Sequence, residues 1–365
     1  MEFRDLKAQY KALKKEIDTA VLNILESGQY IGGTEVKELE KELAEYVGVK
    51  HCITCANGTD ALTISLTALG IGKDDIVLVP DFTFFASAES VAFVDATPVF
   101  VDVDEQTYNI CPYKIEETIL ELQQKGYAKQ IKAIMSVDLF GLPANYPEIQ
   151  KIADKYNLLI IEDAAQGFGG SINGQKACSF GDIATTSFFP AKPLGCYGDG
   201  GAIFTDNDQL ATLIRSYVVH GKNGDDKYDN IRIGVNSRLD SIQAAILRVK
   251  LKAFKNYELD AVNKVAKKYN QELKDKTYQL PYVPEGYISS FAQYTIRLES
   301  KETRDNLQRE YASKGVPVMV YYNKPMHKQG AFKNKLIELD CFTGSQGLCD
   351  TVLSLPINLY GHVDE

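Results

Sequence analysis

With 365 residues, 45% hydrophobic and 24% charged, the chain has the length and composition of one large α/β unit with an appended lobe; disorder and a multi-module array are set aside. Forty Lys and Arg stand against 49 Asp and Glu, a net charge of −9 and the wrong sign for neutralising phosphate backbones, so nucleic acid is not expected as a partner. The first ten residues are charged, no run reaches the about 20 apolar residues of a membrane span, and seven cysteines without an export signal point to a cytoplasmic protein with reduced thiols and no membrane partner.

Strands are predicted in chain order at 51–56, 76–80, 98–101, 131–137, 158–161 and 183–188, with helical patterns between them. Two of these strands are unbroken apolar runs, Ile76-Val77-Leu78-Val79 and Leu158-Leu159-Ile160-Ile161, as in a mainly parallel sheet buried on both faces. From 241 to 273, apolar residues three and four apart, such as Ile242, Ile246, Val249 and Phe254, predict a long helix leading into a second lobe. Strand candidates at 292–298 and 317–321 around a helix at 303–314 make that lobe a small α+β domain. The expected division is a large domain over 1–250 and a smaller C-terminal one over 251–365.

Cys52 and Cys55 form a CxxC, but no second close pair of Cys or His follows, so they read as core thiols beside a strand and no metal is assigned. Asn57-Gly58-Thr59 follows the first strand and opens a helix, where free N–H groups and the positive dipole end suit a phosphate; an ordinary N-cap is the alternative. Glu162-Asp163-Ala164-Ala165-Gln166 lies at the carboxyl end of an apolar strand, where α/β sheets gather ligands, although a cap is again possible. Lys192 stands between Pro190 and Pro193, ahead of the cluster Gly198-Asp199-Gly200-Gly201, held like a lysine that attacks carbonyls rather than one that solubilises a helix face. A lysine, an acid and a phosphate cradle together are what pyridoxal 5'-phosphate requires.

With Phe3-Arg4-Asp5-Leu6, Gly28-Gln29-Tyr30-Ile31-Gly32-Gly33, Pro80-Asp81-Phe82-Thr83-Phe84, Gly234-Val235-Asn236-Ser237-Arg238-Leu239-Asp240 and Gln243-Ala244-Ala245, the ordered set resembles the DegT/DnrJ/EryC1/StrS sugar aminotransferases. These are fold-type I pyridoxal-phosphate enzymes with a large mainly parallel domain and a smaller α+β one. The resemblance implies Lys192 as Schiff-base lysine and proton carrier, Asp163 as partner of the pyridine nitrogen, Gln166 at the cofactor's 3-hydroxyl and Phe84 stacked on its ring. It places Gly58, Thr59 and Ser187 at the phosphate, with Asn236 of the partner subunit, so that a homodimer shares its active sites. Arg238 falls near the substrate, an ion pair with Asp240 being its structural alternative. Tyr321, Tyr322 and His327 fall among the sugar contacts.

The activity so implied is a two-stage transamination from L-glutamate, through the pyridoxamine 5'-phosphate form, to a keto carbon of a UDP- or dTDP-linked hexose for surface glycans such as the O-antigen of lipopolysaccharide. The Asn-Ser-Arg-Leu-Asp wording is closer to the 3-ketosugar members, with a 4-ketosugar as the alternative. Relatives acting on uronic-acid nucleotides carry His-Tyr where Tyr321-Tyr322 stands, which speaks against a uronate. Lys192 counts against the family's dehydratases, which carry His there, and the complete set counts against a non-catalytic regulatory protein on the same fold. No GxGxxG supports a nicotinamide enzyme. Relatives usually run on into a final helix after the Leu-Pro found here at Leu355-Pro356; its loss would uncover apolar surface and lower stability without abolishing the chemistry.

Overall fold

Asp5 accepts a hydrogen bond from the Ala8 N–H at 2.9 Å and so starts α1 (Leu6–Ser27), which Gly28 closes in the left-handed conformation that glycine adopts without strain. This computed structural model describes residues 2–224, 226, 228–333, 337, 339 and 342–360. The chain continues through α2 (Thr34–Val47), β1 (His51–Cys55), α3 (Gly58–Ala68), β2 (Ile76–Pro80), α4 (Phe85–Phe93), β3 (Thr97–Val101), α5 (Pro112–Gln124), β4 (Ile131–Val137), α6 (Tyr146–Tyr156) and β5 (Leu159–Asp163). A small hairpin, β6 (Ser171–Ile172) and β7 (Gln175–Lys176), precedes β8 (Ile183–Ser187), β9 (Gly201–Thr205) and α7 (Asp208–Tyr217).

Seven of these strands form one sheet in the order β1-β9-β8-β5-β4-β2-β3, parallel from β8 through β3, with β9 running against both its neighbours. Alternation along each strand sends residues to opposite faces, and both faces are covered. Val77 and Val79 pack with Leu62 of α3, Val91 of α4 and Ile214 of α7. Ile76 and Leu78 pack with Ile115 of α5 and Ile149 of α6, and Cys52 packs with Leu39 of α2. The CxxC thiols Cys52 and Cys55 are thus buried core side chains.

The helix predicted over 241–273 is α8 (Ser241–Ala253), a π-helical turn at Phe254–Glu258, and α9 (Leu259–Leu273). Its apolar periodicity carries straight across the wider turn, which is why spacing alone did not reveal the interruption. After β10 (Tyr287–Ile288) come β11 (Tyr294–Arg297), α10 (Lys301–Ser313), α11 (Thr343–Thr351) and β12 (Val352–Leu355). β11 and β12 pair antiparallel and pack on Val262 and Ala266 of α9. The strand expected at 317–321 does not form: that stretch contributes the single bridge Met319–Ser354, and Pro317, which has no N–H, cannot extend the ladder. No helix among the described residues is long and apolar enough to cross a membrane.

Candidate active site

The parallel strands deliver their carboxyl ends to one edge of the sheet, and the candidate residues collect there. Asp163 is the last residue of β5, Ser187 the last of β8, Gly58 the first of α3 after β1, and Phe84 precedes α4 after β2. The neighbours Glu162 and Asp163 face opposite sides of the strand, so only Asp163 enters the crevice. Its Oδ2 accepts from the Ser87 hydroxyl at 2.8 Å and its Oδ1 from the Ala165 N–H at 3.1 Å. Burial raises its pKa, and the two hydrogen bonds and the charge of Lys192 pull it back down. Lys192 mirrors this: burial lowers its pKa, Asp163 raises it, and Arg4 lowers it further. Asp163 lies opposite Thr185 in the β5–β8 pair, and the Lys192 loop leaves β8 after Ser187, so strand pairing brings the two segments to the same edge of the sheet.

At the start of α3, Asn57 accepts from the Asp60 N–H with its side chain at 2.8 Å and from the Ala61 N–H with its carbonyl at 3.1 Å. The Gly58 and Thr59 N–H groups have no acceptor within the helix. A Cβ at Gly58 would lie 2.7 Å from the Ser187 Cβ, so only glycine lets that hydroxyl approach the helix end. Two free N–H groups, a hydroxyl and the positive end of a helix fit a phosphate. Phe84 is 53% exposed, with its ring 6.1 Å from that of Tyr322, and offers an open aromatic face. Gln166 accepts from the Phe140 N–H at 2.8 Å and donates to the Tyr322 hydroxyl at 3.3 Å.

His327 is anchored at the end of β2. Asp81, fully buried, accepts from the His327 N–H at 2.8 Å, meets its Nδ1 at 2.7 Å and accepts from the Ser345 hydroxyl. The imidazole stacks on Phe342 at 4.5 Å. Tyr321 packs edge-on against Phe3 at 6.0 Å. Asn236 and Arg238 are exposed, on either side of Ser237, which accepts from the Ala56 N–H and donates to Asp60. Arg238 forms no ion pair with Asp240 among the described residues.

Sequence reasoning passed over Ser87, Asp81 and the partner of Glu162. Glu162 accepts from the Cys178 and Phe180 N–H groups at 2.6 and 2.7 Å and lies against Asp138, which accepts from Tyr146 at 2.8 Å while its Oδ2 has no donor. Burial raises both carboxyls, Asp138 to about 7, where hydrogen bonds from Ala144, Glu162 and Tyr146 hold it back, and Glu162 well above its usual range, where the charge of Asp138 adds to burial. A proton on Glu162 supplies the donor that Asp138 Oδ2 lacks. The folded protein then holds protons that the unfolded chain has released, so this pair's stabilisation is lost as pH rises from the ordinary carboxylate range through about 7. Asp138→Asn should flatten that part of the melting-temperature profile between pH 5 and 8; an unchanged profile would show that the pair carries no shared proton.

A model of the DegT/DnrJ/EryC1/StrS aminotransferase family matches residues 11–360. The chain belongs to this family. It is 46% identical to a UDP-2-acetamido-2-deoxy-3-oxo-D-glucuronate aminotransferase of Pseudomonas aeruginosa, across 99% of this chain and 96% of that one. It is 41% identical to a UDP-N-acetyl-3-dehydro-alpha-D-glucosamine 3-aminotransferase of Acidithiobacillus ferrooxidans, across 97% and 91%. Among solved structures, NtdA of Bacillus subtilis with bound cofactor PMP superposes with a TM-score of 0.87 at 30% identity, covering 96% of this chain and 79% of that one. The α/β architecture and the aminotransferase class expected from the motifs are those of this family.

Proposed function

We propose that this aminotransferase uses pyridoxal 5'-phosphate to move an amino group from L-glutamate to C3 of a nucleotide-linked hexose, in the cytoplasm, for the synthesis of surface-glycan sugars. The observation that carries the reading is that Asp163 ends β5 and the Lys192 loop leaves the paired strand β8, beside a helix start at Gly58 that admits Ser187. Two relatives named for 3-oxo and 3-dehydro sugars support C3. Residues 1–250 form the cofactor-binding domain and 251–365 the smaller one, which supplies Tyr321, Tyr322 and His327 to the sugar.

The chemistry such a cofactor supplies is an electron sink for the carbon that loses and regains a proton. Asp163 keeps the pyridine nitrogen protonated by placing a carboxylate where burial makes its charge felt strongly. Gly58, Thr59 and Ser187 would hold the phosphate, Phe84 would stack on the ring and Gln166 would meet the 3-hydroxyl. Lys192 Nζ, its pKa lowered by burial, accepts the proton from the substrate carbon and returns it on the other side of the transfer.

The test is to load the enzyme with amine from glutamate and then add 3-keto or 4-keto nucleotide hexoses separately. Visible absorption returning with the 3-keto compounds supports the proposal. Return with 4-keto compounds alone moves the amine to C4, and no bleaching by glutamate removes the donor.

The active form is a homodimer. Tyr228, Ile231, Ile233 and Val235 are exposed, Ile233 at 93%, and lead directly into Asn236 and Arg238. A second copy covering them buries apolar surface worth about 2 kcal/mol for an isoleucine and brings Asn236 and Arg238 to its own site. Ile233→Asp should yield a monomer by sedimentation and cost at least tenfold in turnover, about 1.4 kcal/mol of transition-state stabilisation; an active monomer refutes the shared site.

A further inference from the structure

Ser87 has no role in the reading above, yet its hydroxyl touches the Asp163 carboxylate directly. It lies in the first turn of α4, four residues or about one helical turn after Thr83, with Phe84 between them. The Thr83 and Ser87 hydroxyls are 3.1 Å apart, and Ser87 donates to Asp163 Oδ2 at 2.8 Å. Thr83 and Ser87 are each 1% exposed, so no water competes for these bonds. A helical serine can turn its hydroxyl back to a carbonyl three or four residues earlier, as Ser65 does to Ala61 at 2.7 Å and Ser90 to Ser87 at 3.1 Å. Ser87 instead reaches across to the end of β5.

Proton counting fixes the direction of the chain. A hydroxyl has one proton, and an ionised carboxylate only accepts, so the Ser87 proton goes to Asp163 and the Ser87 oxygen is left to accept from Thr83. Both bonds then point toward the carboxylate, and linked donors of this kind polarise one another. The other carboxylate oxygen, Oδ1, accepts from the Ala165 N–H at 3.1 Å. The terminal torsion of an aspartate is intrinsically broad, so a bond to each oxygen is what sets the plane of the group, and each oxygen keeps a lone pair free. Burial raises the pKa of Asp163, and the Ser87 hydrogen bond is the strongest influence holding it down.

We propose that Ser87, itself oriented by Thr83, is a positioning residue that fixes the Asp163 carboxylate toward the ring nitrogen of the cofactor. The proposal rests on Asp163 being the partner of that nitrogen. The turn that carries the two hydroxyls also carries Phe84, whose ring is open, so one short segment ahead of α4 serves both the face of the cofactor ring and, through Ser87, its nitrogen.

The probes are 4'-deoxypyridoxine 5'-phosphate, which lacks the aldehyde and so forms no bond to Lys192, and its 1-deaza counterpart, in which carbon replaces the ring nitrogen. Calorimetric titration of the cofactor-free protein reads both without turnover. Ser87→Ala should weaken the nitrogen-containing analogue about tenfold, the scale of one hydrogen bond to a charged group, and leave the deaza analogue within about threefold of wild type. Thr83→Val keeps the shape, removes the outer donor and should show the same preference at smaller size. Ser87→Thr keeps the hydroxyl and should recover most of the loss. In turnover, Ser87→Ala should lower kcat about tenfold with KM for glutamate changed far less. The proposal is overturned if Ser87→Ala weakens both analogues alike, or neither. Asp163→Asn tests the reading beneath it: it should discriminate against the nitrogen-containing analogue more strongly than Ser87→Ala does. If Asp163→Asn shows no preference between the analogues, the reading of Asp163 fails; if it does and Ser87→Ala does not, only the role of Ser87 fails.

Discussion

Lys192→Ala is expected to cut turnover by about 10³- to 10⁴-fold, the scale of losing a positioned acid–base group. The fold should survive, because the side chain lies in a loop between Pro190 and Pro193 and the backbone hydrogen bond from its N–H to the Phe189 carbonyl, 2.9 Å, does not involve the side chain. Burial opposes the ammonium, so removing it gives no reason for a lower melting temperature. Lys192→Arg separates charge from proton transfer: a guanidinium keeps the positive charge opposite Asp163 but does not give up a proton near neutral pH. Both variants should be similarly inactive. Turnover of Lys192→Arg within tenfold of wild type would mean that the amine acts through its charge and that the proton travels by another group.

Much of the sheet was readable because a strand covered on both faces tends to an apolar run: Ile76–Pro80 is one, and Ile131–Val137, interrupted only by Lys132 and Ser136, is also found where it was expected. Gly201–Thr205 went unread. It follows the glycines of the Lys192 loop, and a strand that begins on glycine resembles the end of a turn; yet Gly201 is required there, since a Cβ would lie 2.4 Å from the Asn57 carbonyl. Lys192 and Asp163 stood out because their neighbours are unusual: two prolines in one case, the end of an apolar strand in the other. Asp81 gave no such signal. It sits in a motif of ordinary composition, and what marks it is the residue it meets 246 positions away, His327, which no local pattern encodes. Glu162 was read together with Asp163, whereas the two-residue period of the strand sends it to the opposite face and into a pair with Asp138.

The same burial that makes Asp163 useful makes it expensive, and the second large effect follows from that conflict. Its carboxyl has a raised pKa in the folded protein, so the folded state holds the proton to higher pH than the unfolded chain does. In the cofactor-free protein its contribution to stability therefore falls as pH rises from the unfolded carboxylate value through the raised folded one. Asp163→Asn removes the charge; its single amide oxygen can accept from the Ala165 N–H, while its NH2 group faces the Ser87 hydroxyl, whose oxygen can accept in turn. The cofactor-free variant should thus be at least as stable as wild type at neutral pH and should lose the corresponding pH dependence in a melting series. Turnover should move the other way, falling by about 10²- to 10³-fold, because the amide no longer stabilises a protonated ring nitrogen where charge collects. A variant that is less stable without cofactor and turns over within tenfold of wild type would assign Asp163 to holding β5 against α4 through Ser87, and the ring nitrogen would need another partner.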